Sequence, residues 1–85
     1  MLKVTVISPE AVLYEGDTES VVAPAFDGEV GILTGHAPMM TLLGKGTLRL
    51  SGGAGGQSFA VEGGFLQVAD NTVRVVTEHA SAVSA

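Results

Sequence analysis

The feature that most constrains this chain is an alternation of apolar and other residues that recurs along its length. At the amino terminus Leu2, Val4 and Val6 are each separated by a single residue, and Leu48 and Leu50 alternate with polar neighbours in the same way. Successive side chains of a β-strand point to opposite faces, so a two-residue period is typical of a strand with one buried face. The pattern therefore predicts strands and argues against helices.

In all, this alternation marks seven short segments. They are residues 2–7, 12–14, 20–23, 47–51, 58–62, 65–68 and 72–76. Short strands that recur every 8–12 residues or so, with Gly, Pro, Asn or Asp between them, are typical of antiparallel sandwiches and barrels. We therefore predict an all-β fold, an antiparallel β-sandwich or flattened barrel of about 8–10 short strands, with no second helical domain.

The glycine-rich segment 52–56 separates two of these predicted strands, and its length suits the tip of a hairpin. Successive glycine amides can also hold an anion. Phosphate-binding loops, however, open a helix and usually carry a Lys, Ser or Thr, whereas a strand pattern follows this segment. We interpret it as a hairpin tip that pairs residues 47–51 with residues 58–62.

A second hairpin is predicted from the turn between residues 65–68 and 72–76. This turn contains Asp70 and Asn71. Both residue types tolerate the left-handed backbone conformation that tight turns require.

Two segments lack a clear period, and one proline is expected to end a strand. Residues 37–43 are too short for an isolated helix, and Pro38 can equally open an extended edge, so we predict a strand or turn there. Pro24 is expected to end the strand of residues 20–23. Residues 15–19 are expected to form a polar turn between strands.

The carboxyl-terminal residues carry no periodic apolar face. We therefore expect the β-sandwich domain to span residues 1–78 and residues 79–85 to form a short frayed tail.

The composition excludes several classes of function. Four basic and nine acidic residues give a net charge of −5, and a nucleic-acid partner needs clustered Lys and Arg. Without cysteine, disulfides, thiolate metal sites and cysteine nucleophiles are excluded. His36 and His79 lie far apart in sequence, and no serine stands in a Gly-x-Ser-x-Gly motif. We expect no catalytic residue, no cofactor and no metal site.

Residues 27–40 differ from the rest of the chain because they combine glycines, an acid, an imidazole and large apolar side chains. Such a segment can serve as a docking surface, where Glu29 and His36 present polar groups and Met39 and Met40 present adaptable apolar contacts. The alternative is that Glu29 is solvated, His36 bonds a loop carbonyl and both methionines belong to the core.

Residues 28–33 (Gly-Glu-Val-Gly-Ile-Leu), followed by residues 35–38 (Gly-His-Ala-Pro), resemble the signature segment of the epsilon subunit of rotary F-type ATP synthases. Other segments match this family in the same order along the chain. They are residues 8–10 (Ser-Pro-Glu), 21–24 (Val-Val-Ala-Pro), 44–48 (Gly-Lys-Gly-Thr-Leu), 61–65 (Val-Glu-Gly-Gly-Phe) and 71–73 (Asn-Thr-Val).

The resemblance implies a non-catalytic β-sandwich subunit of the rotor. It would bind the gamma subunit and the ring of c subunits and help couple ion-driven rotation to ATP synthesis. Glu29 and His36 would face these rotor partners, while Gly31, Gly35 and Pro38 would shape the segment. The residues expected to contact partners or shape the contact are Glu29, Gly31, Gly35, His36, Pro38, Met39 and Met40.

Two departures from the family are visible. The usual proline before the Gly-His pair is Thr34, which leaves one φ angle less fixed. The sequence ends at Ala85, so we expect a subunit without the C-terminal helical hairpin and hence without its autoinhibition and ATP sensing. The resemblance further implies a peripheral location on the cytoplasmic side of the bacterial inner membrane, through the complex alone, and a monomer in isolation.

A docking role also predicts a contiguous exposed apolar patch on one sheet, joined to residues 29–40. The candidates for this patch are Ile7, Val22, Leu33, Met39, Met40 and Val76. Two rival functions remain open, a free-standing β-barrel that binds a small ligand and a self-assembling β module.

Overall fold

The computed structural model describes residues 1–52 and 56–83. In chain order the strands are β1 (Leu2–Ile7), β2 (Val12–Thr18), β3 (Ser20–Ala25), β4 (Gly28–Leu33), β5 (Met39–Leu42), β6 (Lys45–Ser51), β7 (Gln57–Glu62), β8 (Phe65–Ala69), β9 (Thr72–Val76) and β10 (His79–Val83). They form two five-stranded sheets, which we call sheet A, of order β2-β1-β9-β8-β5, and sheet B, of order β10-β7-β6-β3-β4. The predicted all-β sandwich is confirmed.

The core lies between the two sheets and is built by the inward positions of the alternating strands. Strand β1 shows the rule, because Leu2, Val4 and Val6 are fully buried while Lys3 is exposed. Each such Val or Leu contributes about 1.5–3 kcal/mol through removal of apolar surface from water. The largest fully buried apolar side chains are Leu2, Ile32, Leu48 and Leu66, with Val4, Val6, Val21, Val68, Val73 and Val75 around them.

The two sheets are joined at a corner where the chain crosses between them three times, at residues 43–44, 63–64 and 77–78. Backbone hydrogen bonds tie the first two crossings together, from Leu43 N to Gly64 O at 2.9 Å and from Gly63 N to Gly44 O at 3.4 Å. The Gly44 N–H also donates to the Pro24 carbonyl of β3 at 2.8 Å. A Cβ on Gly64 would stand 2.7 Å from the Thr77 Cα and would collide with the Val76 carbonyl oxygen. We call these crossings and the residues packed directly against them, 43–46, 63–64 and 76–78, the crossover corner.

Both predicted hairpins are confirmed. Strands β6 and β7 pair in antiparallel register with Leu48 opposite Phe59, although the tip at residues 53–55 lies outside the described residues. Strands β8 and β9 are joined by Asp70 and Asn71, whose φ angles of 51° and 59° are both left-handed. Residues 39–42 form strand β5, in agreement with the prediction of a strand or turn.

Two expected interruptions are wrong. The expected polar turn at residues 15–19 is mostly strand, because β2 continues to Thr18 and pairs with β1 down to Leu2. Pro24 does not end β3, which runs to Ala25. The Pro24 carbonyl accepts from Gly44 on the edge facing β6, and pairing with β6 has already ended at Val22. The proline nitrogen therefore faces an edge that requires no ladder hydrogen bond.

The prediction of a frayed tail at residues 79–85 is also wrong over the described residues, 79–83. His79–Val83 form β10, which pairs in antiparallel register with β7. These residues carry little apolar period because this edge strand is held mainly by backbone hydrogen bonds, with Ala80 alone packed against the core. Residues 84–85 lie outside the described residues. Within the described chain, we find no helix long and apolar enough to cross a membrane.

Candidate partner-docking surface

Glu29 lies on β4, the edge strand of sheet B, and its side chain is exposed. Its Oε2 is 3.5 Å from the Nη2 of Arg49 on β6, and the two side chains remain 59% and 51% exposed. A solvated ion pair of this kind contributes at most about 1 kcal/mol to folding. The carboxylate is therefore loosely oriented and remains accessible.

The segment between β4 and β5 begins with a tight turn. The His36 N–H donates to the Leu33 carbonyl at 3.0 Å, and Gly35 has a φ angle of 88°. This is a type II turn, whose third position favours glycine because it requires a positive φ. The Gly35 N–H donates to the Asn71 Oδ1 at 2.6 Å, which ties the turn to the β8–β9 hairpin.

His36 is half-buried, and its ring is held by its own loop. The Nδ1 lies 2.7 Å from the Ala37 carbonyl oxygen. Because a carbonyl only accepts hydrogen bonds, Nδ1 carries the hydrogen and Nε2 of the neutral ring is left as an acceptor. Pro38 is exposed and leads directly into β5.

The two methionines diverge. Met39 packs against the core, whereas Met40 is 66% exposed on the outer face of sheet A. The alternative interpretation therefore holds for Glu29, which is solvated, and for Met39. It also holds for His36 in that its ring bonds a loop carbonyl. It does not hold for Met40.

The resemblance implied that Gly31 shapes the segment, but the structure places Gly31 in a strand. It lies inside β4, its φ is not positive, and a Cβ built on it would meet nothing within 4 Å. Nor does the structure bring Glu29 and His36 together. They lie toward opposite ends of β4, so about 13 Å of strand separates Glu29 from Leu33 at the usual rise per residue.

An apolar row crosses the outer face of sheet A. Each member lies beside the next in the strand register, with Leu42 opposite Phe65, Phe65 opposite Val76, Val76 beside Ile7 and Ile7 opposite Val12. We call these five residues the apolar row. Leu42 and Val12 are 62% and 57% exposed, and the three between them are half-buried.

The apolar row corrects the predicted patch. Ile7, Val76 and Met40 do share one outer face, and Met40 lies next to the segment that carries His36. Val22 and Leu33 instead lie on strands of sheet B, and Met39 packs inward. Sequence reasoning missed Val12, Leu42 and Phe65, because only the pairing register across five strands aligns them.

A metal site and a ligand cavity are two further kinds of site to consider in the described part of the chain. No group of three or more His, Cys, Asp or Glu gathers where it could hold a metal ion. A groove of about 600 Å³ over β6, β7 and β10, lined partly by Glu10, Lys45, Glu62 and His79, is open to solvent.

The model of the family described as "ATP synthase, Delta/Epsilon chain, beta-sandwich domain" matches residues 1–83. The chain belongs to this family. Among curated relatives, the ATP synthase epsilon chain of Leptospira borgpetersenii is 47% identical over 78 residues, which are 92% of this chain and 61% of the relative. The epsilon chain of Gloeothece citriformis is 37% identical over 81 residues, or 95% of this chain and 59% of the relative. This chain thus spans about 60% of the length of these epsilon chains.

Solved structures of the same fold come from mitochondrial ATP synthases. A chain of the Euglena gracilis enzyme, solved as OSCP/F1/c-ring, superposes with a TM-score of 0.86 at 23% identity, covering 95% of this chain and 52% of that one. A chain of the Tetrahymena thermophila central stalk/c-ring gives a TM-score of 0.78 at 19% identity, covering 94% and 65%. At these identities the likeness shows the fold alone.

Two groups among the residues that resemble the epsilon family have different structural settings. Residues 44–48 and 61–65 supply the glycines and hydrogen bonds of the crossover corner. Residues 28–38 supply the exposed edge of sheet B and the turn that leads to sheet A. The first group maintains the fold, and the second is available to a partner.

Proposed function

We propose that this β-sandwich is a non-catalytic, central-stalk part of an F-type ATP synthase that binds the gamma subunit and the c-ring. In this role it helps couple ion-driven rotation to ATP synthesis. The observation that carries the proposal is the apolar row on sheet A in a chain of the epsilon family. The row ends at Leu42 on the edge strand β5, which the exposed segment of residues 34–38 joins to β4.

The apolar row suits the gamma subunit as its partner. Exposure of a row of apolar side chains to water is unfavourable, and a partner that covers the row lowers the free energy. The next outward row is mostly polar, with Gln67, Arg74, Thr5 and Glu15 in register across sheet A and Met40 at its β5 end. An apolar strip with a polar border is the usual anatomy of a specific protein interface.

The polar segment suits a second contact, with the c-ring. Glu29 offers a solvated carboxylate and His36 offers a ring acceptor at Nε2. The turn at Gly35 and the following Pro38 limit the backbone freedom of this segment, so less entropy is lost when it binds. Met40 adds an exposed apolar contact where this segment reaches sheet A.

The proposal assigns no catalytic residue to the chain. Glu29 lies near the start of β4 and His36 lies beyond its end, which is too far apart for the two side chains to act as an acid–base pair on one substrate atom. The domain would work on the cytoplasmic side of the bacterial inner membrane, attached only through the complex.

The test compares two exposed apolar residues on opposite sheets. Leu42→Asp places a carboxylate in the apolar row, and the cost of burying it should weaken gamma binding at least about tenfold. Val83→Asp is the matched control, because Val83 is 42% exposed but lies on β10 of sheet B. The measurement is co-purification of gamma and c subunits with the tagged chain, followed by titration with purified gamma.

Equal binding by the Leu42→Asp variant, the Val83→Asp variant and the wild-type chain would contradict the proposed interface. If the isolated chain formed a stable homo-oligomer and the Leu42→Asp substitution dissociated it, this would instead favour a self-assembling module.

A further inference from the structure

Asn71 occupies a position where glycine is the more usual residue. It is the second central residue of the β8–β9 turn, and both central φ angles are positive, as in a type I′ turn. Glycine reaches this conformation without steric cost, so the turn itself does not call for an asparagine side chain. That side chain has another use in the structure.

The side chain of Asn71 bonds a segment 36 residues away in sequence. Its Oδ1 accepts the Gly35 N–H at 2.6 Å. This amide lies inside the type II turn, whose own hydrogen bond runs from His36 N to Leu33 O, so the turn gives the Gly35 N–H no internal partner. The Asn71 amide oxygen satisfies it.

The backbone of Asn71 is anchored to a third segment. Its carbonyl oxygen accepts the Lys3 N–H at 2.8 Å. Strand β9, which follows the turn, lies between β1 and β8 in the middle of sheet A. The Asn71 acceptor thus belongs to a well-anchored part of the molecule. The turn at residues 33–36, to which it bonds, connects the edge strand β4 of sheet B to the edge strand β5 of sheet A.

We propose that Asn71 is a positioning residue that fixes the turn at residues 33–36 and thereby sets where His36 faces a partner. The ring of His36 follows the turn because its neighbouring N–H and its Nδ1 are both bonded within residues 33–37. Without the Asn71 oxygen, nothing else in the described chain bonds the Gly35 amide. The positioning role rests on the proposed docking function, but the bond itself can be tested without any partner.

Two substitutions separate the effect of the Asn71 side-chain hydrogen bond from that of the left-handed turn conformation. Asn71→Gly keeps or improves the left-handed turn and removes the acceptor, while Asn71→Asp keeps an acceptor of the same shape. Amide exchange measured by NMR on the full chain should show the Gly35 N–H exchanging about three- to tenfold faster in Asn71→Gly and near the wild-type rate in Asn71→Asp. The Val73 and Val75 amides of β9 should be unchanged in both.

The second readout is binding to purified gamma–c-ring complex, with His36→Ala as the reference variant. Asn71→Gly should weaken binding about two- to tenfold, and Asn71→Asp should restore it. Unchanged Gly35 exchange in Asn71→Gly would refute the bond. Faster exchange with unaltered binding, while His36→Ala still binds weakly, would refute the positioning role. If His36→Ala also bound normally, both the positioning role of Asn71 and the docking contact at His36 would be refuted. The hydrogen bond from Gly35 to Asn71 would still be supported by the exchange rates.

Discussion

The crossover corner and the edge formed by β4 and its following turn are both rich in glycine, but for different reasons. At the corner a Cβ on Gly64 would collide with backbone, and one on Gly46 would stand 2.8 Å from the Pro24 Cβ. At the edge, a Cβ on Gly31 or Gly35 would meet nothing within 4 Å. The corner glycines are required by packing inside the chain. At the edge, Gly35 is favoured by its positive φ, but the space beside Gly31 and Gly35 is open to something outside the chain.

The largest expected effect is that of Gly64→Ala. It combines a φ of 98° with a clash against the Val76 carbonyl, neither of which a flexible side chain can relieve. We expect a loss of about 3–5 kcal/mol in the free energy of unfolding, measured by urea denaturation.

Gly35→Ala is its matched control, because Gly35 has a similar φ of 88° but open space around it. It should cost only about 1–2 kcal/mol, the strain of the left-handed backbone alone. Equal losses in the two variants would mean that the corner is not more tightly packed than the edge.

Gly31→Ala should have a smaller effect and of opposite sign. Gly31 sits in a strand with an ordinary φ and free space, so alanine should raise the free energy of unfolding by up to about 1 kcal/mol. Thermal denaturation of the isolated chain checks this. A clear destabilisation would show that the edge is constrained from within, and the contrast with the corner would disappear.

The smallest effect is expected for Glu29→Gln. The exposed pair with Arg49 should change the free energy of unfolding by less than about 0.5 kcal/mol, and the difference should shrink further at high salt. Denaturation at low and high ionic strength measures it, with Arg49→Gln as the reciprocal variant. A loss above 1 kcal/mol would place Glu29 among the residues that maintain the fold.

The edge was partly predictable. Gly35, His36 and Met40 lie in the segment that the composition singled out, and Met40 is exposed there. The resemblance to the epsilon family implied that Gly31 shapes the segment, whereas Gly31 lies inside β4. Glycine has a low β-propensity, so the local sequence does not show that a strand continues through it. Asn71 was predicted as a turn residue, but its bond to Gly35 spans 36 residues and leaves no local signal.

The amino-acid sequence by itself determined the class of fold, most of the strand positions and both hairpins, because alternation and turn chemistry act between close neighbours in the chain. The tertiary structure decided the apolar row, the crossover corner and the strand at residues 79–83. Val76 meets Ile7 only through parallel pairing of β9 with β1, and the Gly64 clash exists only where two crossings touch. Such contacts depend on how distant segments pack and align, which no local pattern specifies.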